Sequence, residues 1–177
     1  MAKRKLPACV GYGSCPADYM FVGISAGRLG ALVTRVPFTK DASGRIFQRC
    51  LRRLGLSESD ERSLKPKLRN TYVTNLVKSR VVTAKGLNRI PTPKEIEAGV
   101  PVFLKEIADV KPRLVFCLGV LVYERVRDLK LGGKPVVVRL NHPRWYQAHG
   151  ALAEGSAAFE RMVGDYRSAV IGGEHQI

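Results

Sequence analysis

The sequence predicts an α/β protein of three layers, with helices on both faces of a central, mostly parallel four-stranded sheet. Two observations carry this expectation. The runs YMFVGIS (19–25), TYVTNLV (71–77), LVFCLGV (114–120) and PVVVRLN (135–141) are almost continuously apolar, as strands covered on both faces must be. Segments of helical spacing lie between them, and such alternation leads to a parallel sheet. With 177 residues, 45% of them apolar, one core can form without disulfides. We expect a single domain over 1–177, with a basic tail over 1–17 and a C-terminal tail over 172–177.

After the first strand, GRIFQRCLRRLGL (44–56) places Ile46, Phe47, Cys50, Leu51 and Leu54 on one helical face. A charged loop over 57–70 leads to the second strand. The segment TPKEIEAGVPVFLKEIADV (92–110) opens with a capping box, Thr92 to Glu95, and has Pro93 at its first helical position. Its apolar face is Ile96, Val100, Leu104 and Ile107, and Pro101 should bend it. GVLVYERVRDL (119–129) and SAAFERMVGDYRSAVI (156–171) supply two further helices.

The net charge is +15, from 30 Lys and Arg against 15 Asp and Glu, which points to a polyanionic partner, the alternative being a merely basic, thermophile-like surface. The first residues are basic but lack the apolar stretch of a signal peptide, and no run is long enough to span a membrane. The expected location is cytoplasmic and the expected state monomeric. Of Cys9, Cys15, Cys50 and Cys117, only the first two are near neighbours, and no C-x-x-C occurs.

Three candidate sites fall at carboxyl ends of predicted strands, the rim where open α/β sheets bind ligands. They are the turn GISAG after the first strand, Asn75 on the second, and Asn141-His142 after the fourth. Gly23 to Gly27 fits the G-x-S-x-G pattern of a hydrolase nucleophile, and Ser25, Asp128 and His142 even follow in triad order. That elbow needs an upstream strand whose loop completes the oxyanion hole, and none precedes it here. The turn reads better as a pocket wall, with Ser25 as nucleophile a rival.

The ordered set VPFTKDASGRIFQRCLRRLGL (36–56), YVTNLVKSR (72–80), NRIPTPKEI (88–96) and LNHPR (140–144) resembles the uracil-DNA glycosylase superfamily over most of the chain. Phe38 to Gly44 is most similar to family 5, the type-B enzymes, whereas Asn75 is similar to family 4. The resemblance implies excision of uracil, or another deaminated base, from DNA after the nucleotide is flipped into a pocket.

By the same resemblance His142 would donate to the carbonyl oxygen of the departing base, as an oxyanion-hole group does; the alternative is a plain strand-ending turn before proline. Asp41 would activate water or stabilise the cationic sugar, or else simply cap the following helix. Phe38 would stack on the base or pack in the core, and Asn75 would pair with a pyrimidine edge or end its strand. Gly23, Ser25 and Gly27 would line the base or sugar side. Arg144, Trp145 and Tyr146 would press into the minor groove unless the rings fold inward. Lys78, Arg80, Lys85 and Arg89 form a basic loop expected to meet phosphates.

Families 4 and 5 usually hold an iron–sulfur cluster on four cysteines. Ser79 and Gly99 stand where two of these belong, and Cys9 and Cys15 lie too far apart for the usual pair. The expectation is therefore no cluster, no metal and no other cofactor. Ile24 and Ala26 also depart from the first motif, so a protein that keeps the fold and binds DNA without catalysis is the main alternative.

Overall fold

The computed structural model describes residues 9–79 and 81–175. Its sheet has five strands, ordered β1-β3-β2-β4-β5: β1 (Tyr12–Gly13), β2 (Tyr19–Ser25), β3 (Thr71–Val77), β4 (Leu114–Leu118) and β5 (Val136–Leu140). All neighbours pair in parallel except β1 with β3. The four predicted strands are present, and the helices are α1 (Ala31–Thr34), α2 (Ala42–Arg53), α3 (Pro93–Val110), α4 (Val120–Val126), α5 (Pro143–Ala148) and α6 (Ala157–Glu174).

Alternate residues of each strand feed two cores. Phe21, Leu114, Phe116 and Leu118 meet Phe47 of α2, Tyr146 of α5 and Phe159, Met162 and Tyr166 of α6. Met20, Val22, Val115 and Cys117 meet Ile96, Phe103 and Ile107 of α3 and Val122 and Val126 of α4. This is the expected three-layer packing. Phe21 is its centre on the first face, stacked on Phe116 at 4.8 Å between ring centroids and edge-on to Phe47 at 5.4 Å.

Three differences from the expectation have local causes. The fifth strand lies inside the supposed N-terminal tail, where two residues are too short to show any periodicity. That segment is well fastened: Cys9 is buried and its amide donates to the Lys78 carbonyl, and the Gly11 amide donates to Glu106 Oε1 at 2.9 Å. At the other end α6 continues to Glu174, with Gly173 packed against Leu114, so residues 172–174 are helix rather than tail. The stretch after His142 is the helix α5, not an open loop. The capping box at Thr92 is formed as expected, and α3 runs on through Pro101.

Lys78 belongs to this scaffold and not to a DNA-contacting surface. Its side chain is buried, and Nζ donates to Glu106 Oε2 at 2.6 Å, Thr74 Oγ1 at 2.6 Å and the Asn75 carbonyl at 2.5 Å. Burial lowers the lysine pKa, while Glu106 pulls the other way. The pair ties the end of β3 to α3 and, through Gly11, to the N-terminal segment. Removing one partner leaves a buried charge, so Glu106→Ala should cost about 3–5 kcal/mol in urea unfolding. Replacing both, as Lys78→Met with Glu106→Leu, should recover much of that loss.

Candidate active site

The sheet order places β3 and β4 on opposite sides of β2, which creates a switch point at the carboxyl ends of the strands. A cavity of about 780 Å³ lies there, lined by Ser25, Gly27, Phe38, Asp41, Asn75 and His142 among others. Residues from three distant stretches thus meet on one rim. A second cavity, of about 570 Å³, lies beyond the amino-terminal ends of β4 and β5 and is lined by Lys111, Arg113 and Lys134; none of the candidate residues reaches it.

Gly23 is paired with Asn75 across β2 and β3. A Cβ on Gly23 would fall 2.5 Å from Asn75 Oδ1 and 2.7 Å from Phe38 Cζ, so only glycine lets the amide and the ring close over the strand. Asn75 is 2% exposed, yet its side-chain amide has no hydrogen-bond partner among the described residues and faces the cavity. These amide atoms are not sealed in the core, where among the described residues only Gln48 Oε1 is buried without a partner; they open on the cavity, which leaves a donor and an acceptor free for a ligand there.

Phe38 adopts φ +55° and Lys40 φ +71°, left-handed conformations that are costly for such residues. The bend is held by buried neighbours. Gln48 Nε2 donates to the Phe38 carbonyl at 3.1 Å, and Thr39 Oγ1 donates to the Val36 carbonyl at 2.8 Å. The Phe38 ring lies 4.7 Å from Phe47 and 6.3 Å from His142 between centroids. It thus bridges core and cavity.

Asp41 caps α2: Oδ1 accepts from the Gly44 amide at 2.8 Å and from Ser43 Oγ at 3.0 Å. Its second oxygen lies over the turn after β2, where a Cβ on Gly27 would come within 2.7 Å of Oδ2. Oδ2 has no hydrogen-bond partner among the described residues. Capping and a further role therefore use different oxygens.

His142 is half-buried and caps α5, and its Nδ1 accepts from the Arg144 amide at 3.0 Å. With Nδ1 an acceptor, the neutral ring carries its proton on Nε2 and is a donor there. Burial pushes the imidazole pKa down to about 4; the Asp41 carboxylate opposes this and Arg144 reinforces it. The strand end before it is fixed by Tyr166, whose hydroxyl donates to the Asn141 carbonyl at 2.8 Å.

This geometry removes the Ser25 triad. The Nδ1 that an acid would have to orient is already used by a backbone amide, and Asp128 is exposed beside Arg127. Two of the residues expected at a DNA surface also turn inward. Tyr146 is buried with its hydroxyl on Asp165 at 2.6 Å, because α5 points it into the core. Trp145 is half-buried, stacked on His149 at 4.1 Å with Arg161 over its ring at 5.2 Å, and does not line the cavity. Arg144 is exposed and lines it, and Lys85 is exposed on the loop after β3. Arg89 lines the cavity but is forked onto Glu95, at 2.8 and 2.6 Å. Arg80 lies outside the described residues. Among the cavity residues not singled out from the sequence are Leu29, Asn88, Ile90, Gln147 and Leu152.

The donor set does not suit a four-thiolate cluster. Cys9 is buried and Cys15 exposed, Ser79 and Gly99 occupy the remaining positions, and a Cβ on Gly99 would fall 2.2 Å from the Leu76 carbonyl oxygen. Cys50 and Cys117 sit in the two separate cores.

Residues 10–167 match the model of the uracil DNA glycosylase superfamily, and the chain belongs to that superfamily. It is similar to a type-4 uracil-DNA glycosylase of Archaeoglobus fulgidus, with 30% identity over 117 residues, 66% of this chain and 51% of that protein. A type-4 uracil-DNA glycosylase of Pyrobaculum aerophilum is 29% identical over 127 residues, 72% of this chain and 57% of that protein. The chain spans about half the length of these relatives. Among the described residues no helix is long and apolar enough to cross a membrane.

The His142 geometry sets a pH expectation. Its folded pKa lies below the unfolded value of about 6.5, so its contribution to stability is complete above that value and is lost as pH falls towards 4. Imidazole NMR should show a neutral Nε2–H ring at pH 6 and a single protonation step near pH 4. A step near 6.5 would mean the ring is solvated and the Nδ1 bond absent.

Proposed function

We propose that this chain is a monofunctional DNA glycosylase that hydrolyses the bond between uracil and deoxyribose after the nucleotide has left the helix. The observation that carries this is the Asn75 amide, without a hydrogen-bond partner among the described residues and open to the same cavity as a histidine held in its donor tautomer. An amide at such a position matches the alternating acceptor and donor of a pyrimidine edge. Phe38 supplies a face for stacking, and Ser25 and Gly27 form the wall beside the sugar.

Departure of the base builds negative charge on it and positive charge on the sugar. His142 Nε2–H stabilises the base oxygen as that charge grows, and does so as a neutral donor with no proton to gain. Asp41 Oδ2 accepts from a water that attacks the sugar carbon, and its charge also favours the cationic sugar. The water's hydroxyl ends on the sugar and its proton leaves for the base or solvent. No metal is needed for any of these steps. Arg144 and Lys85 contact phosphates, and the partner is damaged DNA.

A second reading, DNA binding without catalysis, draws on Asp41 spending one oxygen on the α2 cap and on Ile24 at a position where relatives by resemblance carry a polar group. A uracil-containing oligonucleotide separates the two. The glycosylase reading expects abasic product from the native chain, with His142→Ala and Asp41→Asn each slowing single-turnover excision by roughly 10²–10³-fold at little cost in DNA affinity. Salt-dependent binding with no product from uracil or hypoxanthine would leave the binding protein.

A further inference from the structure

Among the described residues the three most exposed large hydrophobic side chains are Ile90 at 74%, Leu152 at 68% and Leu29 at 60%. All three line the cavity that holds Asn75 and His142. Single exposed apolar residues are ordinary on a protein surface, but three from separate loops around one opening form a patch. Leu29 comes from the turn after β2, Ile90 from the loop between β3 and α3, and Leu152 from the segment between α5 and α6. Because β3 and β5 lie on opposite sides of β2, Ile90 and Leu152 approach the opening from opposite sides.

Ile90 is also held firmly where it is. Arg89 donates from Nη1 to both Glu95 and the Ile90 carbonyl, the latter at 3.1 Å, and from Nε to the Val82 carbonyl at 3.2 Å. Asn88 Oδ1 accepts from the Arg28 amide at 3.1 Å, which ties this loop to the Leu29 turn. Pro91 and the Thr92 capping box follow at once. The arginine expected to meet phosphate is instead the clamp that points an isoleucine into solvent, and none of the described residues covers that side chain.

We propose that Ile90, with Leu29 on the adjoining turn, is an apolar wedge that enters duplex DNA on the side of the extruded nucleotide opposite Leu152. The inference rests on the glycosylase reading for its partner and adds a second lip to the grip. Its occupant is the face of the base pair flanking the vacated position. Apolar side chains inserted between base steps offset the cost of unstacking, and a chain of net charge +15 with Lys85, Arg28 and Arg144 nearby draws the surrounding phosphates. A lipid surface would also suit apolar and basic residues together, but it has no use for the polar cavity behind them.

The test uses the native chain, Ile90→Ala and the conservative Ile90→Leu, on a duplex with 2-aminopurine beside uracil and on the same strand alone. Thermal unfolding checks that the variants fold. The wedge predicts that Ile90→Ala lowers the ratio of duplex to single-strand excision by about tenfold, abolishes most of the 2-aminopurine fluorescence rise on duplex binding, and that Ile90→Leu restores both. Arg89→Gln should reproduce part of the loss while leaving the slope of log affinity against log salt unchanged, because a clamp neutralises no phosphate. An unchanged ratio with active native protein overturns the wedge and leaves the glycosylase reading intact. A fluorescence rise that depends on Ile90 without any uracil release upholds the wedge and removes the glycosylase. Absence of DNA binding, or binding to anionic vesicles in its place, overturns both.

Discussion

The missing side chain at Gly23 is the constraint on which the candidate site depends. β2 is the central strand, flanked by β3 and β4, and its carboxyl end is where the layers leave room for a ligand. Only a bare backbone there lets Asn75 lean in from β3 while Phe38 leans in from the loop before α2. Any Cβ would push one of them back, and the amide and the ring would no longer share a wall. The strained turn around Phe38 and Lys40, secured by Gln48 and Thr39, exists on the same account: a relaxed loop would not bring the ring over the strand.

The electrostatics of the cavity follow from who supplies its hydrogen bonds. His142 spends Nδ1 on a backbone amide and Asp41 spends Oδ1 on another, so each is oriented by a helix terminus and keeps one atom for the cavity. A neutral imidazole beside a carboxylate is a donor and an acceptor without a net proton transfer between them. The proposed reaction asks for that combination, since the departing base and the sugar develop charges of opposite sign. The outer face of the site is braced by ordinary contacts: the Lys78–Glu106 pair beneath Asn75, the Thr92 cap, and Arg89 on Glu95.

The layers were legible in the sequence because buried strands and amphipathic helices write their periods plainly; the first three predicted strands begin at the residues observed. The meeting of the Gly23–Gly27 turn, Asn75 and His142 was legible too, since strand ends locate a rim even when contacts are unknown; Asp41, at a helix start, was reached only through the family resemblance. Side-chain direction after a strand was not. Lys78 follows the apolar run of β3 and looks like the start of a basic loop, yet a carboxylate 28 positions later takes it into the core. Tyr146 looks like a wedge in a linear string and becomes core once α5 forms. Ile90 and Leu152 carried no signal at all, because an apolar residue in a loop gains meaning only from the cavity it borders.

A crystal structure of the chain with a duplex holding a non-hydrolysable deoxyuridine would decide where the base goes. The uracil ring should lie against Phe38, its edge within about 3 Å of the Asn75 amide and its carbonyl oxygen at a similar distance from His142 Nε2. A uracil still stacked in the duplex, or DNA seated over Lys111, Arg113 and Lys134 at the far end of the sheet, would contradict that placement.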